Sequence, residues 1–108
     1  MSLRGRTFYR YMSRAEAEAV ERTGFLRGGI PGEVYWTDDL YERSTEAMGR
    51  LALADLPEVR MRFRMKGEPA LVRNGTRVRS DGRQPGGGTE YMTLARVEVE
   101  VSAVDNLE

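Results

Sequence analysis

The chain alternates apolar and polar positions most regularly over residues 59–65, where four apolar side chains are interleaved with three arginines. A period of two is typical of a β-strand with one buried and one solvated face. The region 90–104 shows the same alternation in its second half, and we expect a turn or bulge near residues 95–96 to divide it. Aromatic and β-branched residues over 6–12 and 33–37 predict two further short strands.

A first helix is predicted directly after the first strand. Ser13 and Glu16 have the spacing of a capping box, in which the serine caps the helix and the glutamate reaches back to it. The helix should extend to about Thr23 and end at Gly24, because a glycine tolerates the left-handed backbone that closes a helix. A turn-rich loop over residues 27–32 should follow.

A second helix is predicted after the strand at 33–37, with Thr37 or Asp38 as its N-cap. Ser44 falls on its apolar stripe, as a buried hydroxyl or as one that faces a cleft. The remaining residues of that stripe are Leu40, Ala47, Met48, Leu51 and Ala52. Farther on, the dipeptide Asn74-Gly75 predicts a turn between two short strands at 69–72 and 76–79.

The predicted order is β-α-β-α followed by several antiparallel strands, which indicates an α+β domain with two helices packed on a small, curved or split sheet. The 108 residues suffice for one domain with one modest core. The first residues, 1–6, look like a boundary at which a domain was separated from a larger protein.

Composition narrows the chemistry. Seventeen basic residues balance 17 acidic ones, and a nucleic-acid-binding protein usually has a basic excess. The chain has no cysteine and no histidine, which excludes disulfides, Cys/His metal sites and nucleophiles activated by histidine. We therefore expect neither a metal nor a nucleic-acid partner, and the chain has neither a signal-peptide pattern nor a stretch long enough to span a membrane.

The most informative stretch is residues 84–93, where three consecutive glycines precede Glu90 and a predicted strand. Glycines allow a backbone to approach a ligand closely, and a carboxylate at the junction of loop and strand suits a catalytic acid. The alternative is a connecting loop with a solvated glutamate at its end. Likewise, the three arginines of 59–65 are either a ligand-binding row or a solvated sheet face.

Three elements could converge on one site: Arg10 on the first strand, residues 35–37 at the end of the second, and Glu90. They would supply a cation for a phosphate, aromatic rings for a flat ligand, a hydroxyl and a carboxylate. That set suits a dinucleotide with a good leaving group.

These residues also carry a resemblance. Residues 9–13 (Tyr-Arg-Tyr-Met-Ser) before an Ala/Glu-rich helix, residues 32–39 (Gly-Glu-Val-Tyr-Trp-Thr-Asp-Asp) and residues 84–91 (Gln-Pro-Gly-Gly-Gly-Thr-Glu-Tyr) resemble the ADP-ribosyltransferase toxin domains of bacterial polymorphic toxins. Within them the chain is most similar to the Rhs-associated group that modifies elongation factor Tu. The third motif is also similar to the closing motif of NAD-hydrolysing toxin domains, which have glutamine in place of Glu90.

The resemblance implies an ADP-ribosyltransferase-like fold around an NAD cleft, with NAD as substrate and Glu90 as the catalytic acid. It implies that Arg10 holds the phosphates or ribose of NAD and that residues 35–37 support the nicotinamide pocket. The complete set of implied cofactor-binding residues is Tyr9, Arg10, Tyr11, Tyr35, Trp36, Thr37 and Gly88.

The sequence departs from related groups at three places. Arginine-modifying members have Ser-Thr-Ser on the second strand, where this chain has Tyr-Trp-Thr, and a second glutamate where it has Gly88. The diphtheria-like class has a histidine at the position of Arg10. An arginine acceptor is therefore not favoured.

The resemblance further implies a toxin delivered from a producing bacterium into the cytoplasm of a target cell, with a cognate immunity protein as partner and elongation factor Tu as target. Two alternatives stay open. One is an NAD glycohydrolase, with water as the acceptor. The other is a non-enzymatic module that binds an acidic partner through Arg60, Arg62 and Arg64.

Overall fold

Two antiparallel sheets and two helices form the fold, which the computed structural model describes for residues 2–28 and 32–108. The loop predicted over 27–32 lies partly outside these residues, since Gly29, Ile30 and Pro31 are not described. The elements follow in the order β1 (Thr7–Met12), α1 (Arg14–Thr23), β2 (Phe25–Leu26), β3 (Val34–Trp36), α2 (Ser44–Leu51), β4 (Val59–Met65), β5 (Leu71–Arg77), β6 (Thr89–Thr93) and β7 (Val97–Asn106). This is an α+β fold with two helices and curled antiparallel sheets, as the sequence pattern predicts.

The two sheets meet at a backbone bridge between Tyr9 and Thr37. One sheet has the strand order β1-β4-β7-β2 and the other β3-β6-β5. The amide of Tyr9 donates to the carbonyl of Thr37 at 2.8 Å, and the amide of Thr37 donates to the carbonyl of Tyr9 at 2.9 Å. Strands β1 and β3 are paired at this bridge and belong to different sheets, so the combined sheet is split between them.

The core lies between the sheets and helix α1 and is built around aromatic rings. Phe8, Trp36 and Tyr91 contact one another, with ring centroids 5.0 to 6.2 Å apart, and Phe63 packs against Phe8. Each fully buried aromatic or aliphatic side chain of this kind contributes roughly 1.5–3 kcal/mol relative to exposure. The cluster therefore holds β1, β3, β4 and β6 in place around the split.

Strand β4 confirms the predicted alternation, because its four apolar residues are buried. Arg62 and Arg64 are exposed, as a solvated face requires. Arg60 differs from them, since its guanidinium donates to the carbonyl of Tyr41 at 2.8 Å and pairs with Asp105 at 3.2 Å. The arginine row is thus a sheet face with one structural member.

Helix α1 has the predicted limits and half of the predicted capping box. The Ser13 hydroxyl accepts the amide of Glu16 at 3.1 Å, and Gly24 ends the helix in a left-handed conformation with its amide donating to Val20 at 2.7 Å. The Glu16 carboxylate instead accepts from the side chain of Arg10. Neither helix in the described part of the chain is long and apolar enough to cross a membrane.

The predicted start of α2 was wrong. The helix begins at Ser44 with Arg43 as its N-cap, and Leu40, predicted to be buried, is 54% exposed. Thr37 belongs to the bridge between the sheets, and its hydroxyl accepts the amide of Asp39 in a local turn. Residues 37–43 are therefore a loop, while Ser44 is buried at the beginning of the helix.

The predicted hairpin about Asn74-Gly75 was also wrong. Strand β5 continues through both residues and pairs with β6, with register shifts between Leu71 and Arg73 and between Arg73 and Thr76. Gly75 has a positive φ of 70°, which a strand with irregular register accommodates without a reversal of direction. The predicted break near residues 95–96 is confirmed by the gap between β6 and β7.

Candidate functional site

A cleft of about 1250 Å³ opens beside the split between the sheets. Strands β1 and β3 form one wall, the segment after α2 forms a second, and β5 with the following residues forms a third. The lining residues are Tyr9, Arg10, Tyr11, Tyr35, Trp36, Thr37, Leu51, Ala52, Leu53, Ala54, Arg73, Thr76, Arg77, Val78, Arg79, Ser80, Pro85 and Glu90. All three predicted elements of the site thus reach the same cleft.

Arg10 spans the split from β1 to β3. Its Nη1 donates to the backbone carbonyl of Tyr35, and its Nε and Nη2 both donate to Oε2 of Glu16, at 3.0 and 2.8 Å. Its side chain is 19% exposed. Three of the five guanidinium N–H groups are therefore used to join β1, β3 and α1, which makes Arg10 a structural link across the split as well as a lining residue.

The motif at 35–37 contributes mainly support. Trp36 is 3% exposed and stacks on Tyr91 at 5.9 Å with an interplanar angle of 6°, so it supports the cleft wall from the core. Its indole Nε1 is buried without a hydrogen-bond partner among the described residues. Thr37 is also buried, whereas Tyr35 is half-buried and its hydroxyl donates to Glu33, a hydrogen bond that raises the pKa of Tyr35 to about 12.

Tyr9 and Tyr11 lie on the same wall in different settings. The ring of Tyr9 is half-buried beneath the guanidinium of Arg60, 6.0 Å from its centroid. Tyr11 is buried, and its hydroxyl donates to the carbonyl of Asp39 at 2.8 Å and accepts the amide of Tyr41 at 2.6 Å. Burial raises the pKa of Tyr11 to about 12.

Glu90 lies on β6 with its carboxylate in the cleft. Its side chain is 13% exposed and accepts a hydrogen bond from Nη1 of Arg73, whose side chain is 47% exposed. This contact raises the pKa of Arg73. An ion pair with one half-exposed partner contributes about 1 kcal/mol or less, because solvent screens it. The Glu90 carboxylate is thus positioned by β6, whereas the ion pair with Arg73 is weak.

The glycine loop differs from the predicted flexible, ligand-facing loop. The amides of Gly86 and Gly88 donate at 3.0 Å to the carbonyls of Gly49 and Arg50 in α2, and Gly87 is hydrogen-bonded to Val78. A Cβ on Gly88 would lie 2.9 Å from the Arg50 carbonyl oxygen, so glycine is needed there for close packing on the helix. Gly88, predicted to bind cofactor, is buried against α2 and does not line the cleft.

Sequence reasoning missed the arginines on the third wall of the cleft. Arg73, Arg77 and Arg79 line it together with Arg10, whereas Glu90 is the one acidic residue among the described lining residues. Arg77 and Arg79 are exposed and have no ion-pair partner within 4.0 Å among the residues described. The cleft is therefore positively charged in a chain whose formal net charge is zero, and this favours an anionic ligand.

The arrangement combines a fixed carboxylate, a wall of guanidinium groups and tyrosine rings in one concave site. A carboxylate of this kind stabilises a developing cation, and guanidinium groups bind phosphate through charge-assisted hydrogen bonds. Within residues 2–28 and 32–108, no group of three acidic side chains could hold a metal ion.

Comparison of the chain with protein-family models, with curated proteins and with solved structures finds no match.

Proposed function

We propose that this domain has an ADP-ribosyltransferase-like fold, cleaves the N-glycosidic bond of NAD and transfers the ADP-ribose to a target protein. The observation that carries the proposal is the position of Glu90. Its largely buried carboxylate faces the same cleft as Arg10 and residues 35–37, and the resemblance to ADP-ribosyltransferase toxin domains rests on the sequence around these three elements.

The reaction needs little more than a fixed negative charge. The bond between the nicotinamide nitrogen and C1 of the ribose breaks, and both electrons leave with nicotinamide, which departs neutral without a proton. The ribose retains a positive charge that the Glu90 carboxylate stabilises electrostatically. The acceptor then forms a bond to C1 and loses a proton to solvent, so neither histidine nor metal is required.

The charge of the cleft supports a dinucleotide substrate. NAD carries a diphosphate, and four arginines line the site against one glutamate among the residues described. Guanidinium groups pair with phosphate oxygens in bidentate geometry. A substrate with a diphosphate and a ribose that becomes cationic as nicotinamide departs therefore matches both the arginines and the carboxylate.

The biological setting rests on the resemblance alone. It makes the domain part of an Rhs-type polymorphic toxin that enters the cytoplasm of a target bacterium, modifies elongation factor Tu and blocks translation. A cognate immunity protein would protect the producing cell by covering the cleft.

The test is to incubate the purified domain with labelled NAD and bacterial lysate, and then to separate the proteins. We expect one labelled band at the size of elongation factor Tu, and a loss of at least about a hundredfold in labelling for Glu90→Ala. The matched control is Glu100→Ala, which removes an exposed strand glutamate on β7.

The other outcomes separate the alternatives. Free ADP-ribose without labelled protein would identify an NAD glycohydrolase, which would use the same cleft and carboxylate. The absence of both products would favour a binding module. Full activity of Glu90→Ala would overturn the assignment of the catalytic acid.

A further inference from the structure

The ion pair between Glu90 and Arg73 conflicts with the role proposed for Glu90. A carboxylate that is paired with a guanidinium has its field largely cancelled and stabilises a ribosyl cation poorly. We propose that Arg73 is exchanged between Glu90 and the diphosphate of the substrate, so that Arg73 makes catalysis depend on a diphosphate-bearing donor. This inference rests on the proposed function and assigns the donor specificity of the site to one residue.

Arg73 is the partner that can leave the pair. Its side chain is 47% exposed against 13% for Glu90, and it is carried by β5, an edge strand of its sheet. Glu90 lies on β6, which is paired on both sides, with β3 and with β5. The arginine therefore has solvent space and rotational freedom, whereas the carboxylate stays in place.

Two further arginines near Arg73 could bind the same anion as Arg73. Arg77 pairs in register with Thr89, the residue before Glu90, and Arg79 follows two positions later. Both line the cleft and are without an ion pair among the described residues. Arg73 and Arg77 on β5 and Arg79 two residues beyond it, named here together the β5 arginines, thus form a row of cations beside Glu90 in which two members carry uncompensated charge.

Arg10 is a poorer site for the diphosphate than the resemblance implies. Its Nη1 is bound to the Tyr35 carbonyl and its Nε and Nη2 to Glu16, so phosphate would have to compete with these contacts or use its two other N–H groups. For the β5 arginines, phosphate would displace only the weak ion pair between Arg73 and Glu90. The charges of the cleft therefore favour binding of the diphosphate at the β5 arginines. Arg10 instead holds β1 and β3 at a fixed distance across the split.

This exchange has a chemical consequence for the donor. A diphosphate attracts Arg73 away from Glu90 at the same time as it binds, and the freed carboxylate then faces the ribose. Nicotinamide riboside has the same scissile bond without any phosphate, and it leaves the Arg73–Glu90 pair intact. The site should therefore discriminate against the riboside by more than the loss of binding contacts alone.

The experiment compares nicotinamide release from NAD and from nicotinamide riboside for the parent domain, Arg73→Met and Arg73→Lys. For Arg73→Met we expect kcat/KM for NAD to fall about ten- to hundredfold, as for the loss of a charge-assisted hydrogen bond. The value for the riboside should stay unchanged or rise, because Glu90 is no longer paired. Arg73→Lys should keep part of the preference, since it retains the charge without the planar fork.

The matched control is Arg64→Met, which removes an exposed strand arginine outside the cleft and should leave both donors unaffected. If Arg73 only stabilised the fold, Arg73→Met would lower kcat/KM equally for NAD and for nicotinamide riboside. An equal loss, or an unchanged ratio between the donors, would overturn the proposal.

A binding measurement separates this inference from the proposed function. If the parent domain releases no nicotinamide, the proposed function fails, and calorimetric titration with ADP and with adenosine then decides about Arg73. A loss of about tenfold or more in ADP affinity for Arg73→Met, with adenosine unaffected, supports a diphosphate site at the β5 arginines. Equal ADP affinity in both proteins, or no binding of ADP to the parent, overturns it.

Discussion

The carboxylate of Asp39 accepts the backbone amide of Thr89 at 2.6 Å. Asp39 belongs to the loop between β3 and α2, and Thr89 immediately precedes Glu90 on β6. The same carboxylate oxygen accepts the hydroxyl of Tyr41 at 3.0 Å, while the Asp39 carbonyl accepts the hydroxyl of Tyr11. The beginning of β6 is thus hydrogen-bonded to the loop between β3 and α2, next to the split between the sheets.

We expect Asp39→Ala to lower the free energy of unfolding by about 1–3 kcal/mol, because it leaves a part-buried amide without its acceptor. Urea denaturation measures this. Nicotinamide release should lose about ten- to hundredfold in kcat with little change in KM, since Glu90 is then positioned less firmly. Asp39→Asn is the control, because it retains an oxygen acceptor. It should therefore keep much of the free energy of unfolding and of kcat. Wild-type kcat in Asp39→Ala would contradict a positioning role.

Gly88→Ala tests the contact between the glycine loop and α2. The added Cβ would lie 2.8 Å from the Tyr41 hydroxyl and 2.9 Å from the Arg50 carbonyl oxygen, and a backbone carbonyl cannot easily move. We expect a loss of about 1–3 kcal/mol of stability, as for other overpacked positions.

Gly67→Ala is the matched control for this substitution. A Cβ at Gly67 meets no atom within 4 Å, so the change should be neutral or stabilise by about 0.4–1 kcal/mol. The changes in the midpoint of thermal unfolding should therefore differ in sign or size between the two variants. Equal midpoints would show that the glycine loop moves to accommodate the added Cβ.

Arg10→Met tests whether Arg10 is a structural link. It removes the hydrogen bonds to Tyr35 and Glu16, and we expect a loss of about 1–3 kcal/mol in the free energy of unfolding. Glu16→Gln removes the ion pair but leaves the contact with Tyr35, and should cost less than about 1 kcal/mol. A rise in KM for NAD in Arg10→Met with unchanged stability would instead favour the phosphate-binding role that the resemblance implies.

Stability should fall at alkaline pH. The pKa of Tyr11 is raised by burial to about 12, and that of Tyr35 is raised to about 12 chiefly by its hydrogen bond to Glu33. From about pH 10 the unfolded chain loses these protons and the folded one retains them, so the stability they contribute below pH 10 is lost as the pH rises to about 12.

Denaturant unfolding from pH 8 to pH 12 measures this decline. Tyr11→Phe should be less stable at neutral pH, because two hydrogen bonds are lost, and should show a shallower alkaline decline. An unchanged slope in this variant would show that other groups cause the effect. Between pH 6 and 8 we expect little change, since the chain has no histidine.

The sequence predicted the strands best where burial alternates regularly. In β4 each apolar residue faces the core, and the pattern can be read locally. The sequence also indicated that Arg10, residues 35–37 and Glu90 could converge, because each lies at a junction of strand and loop where a polar group reaches an open edge. The alternation and the junctions are local patterns, whereas the convergence at one cleft depends on the fold.

Long-range contacts account for the failures. The hydroxyl of Tyr11 binds the backbone of Asp39 and Tyr41, 28 and 30 residues away, and holds residues 37–43 as a loop. The β5 arginines were missed because nearly every residue of β5 is exposed, so the strand has no alternation of buried and exposed positions that would mark the side facing the cleft. The glycine loop packs on a helix that local sequence does not identify as its neighbour.

The hydrogen bonds between the glycine loop and α2 also constrain how this segment can change in length. Gly86 and Gly88 are fixed to consecutive carbonyls of the helix, and Glu90 follows two residues later. One inserted or deleted residue between Pro85 and Glu90 would therefore either break these hydrogen bonds or shift the register of β6, and a one-residue shift turns the carboxylate to the opposite face of the strand. Residues 80–83 are exposed, so we expect an insertion there to be tolerated better than one between Pro85 and Glu90.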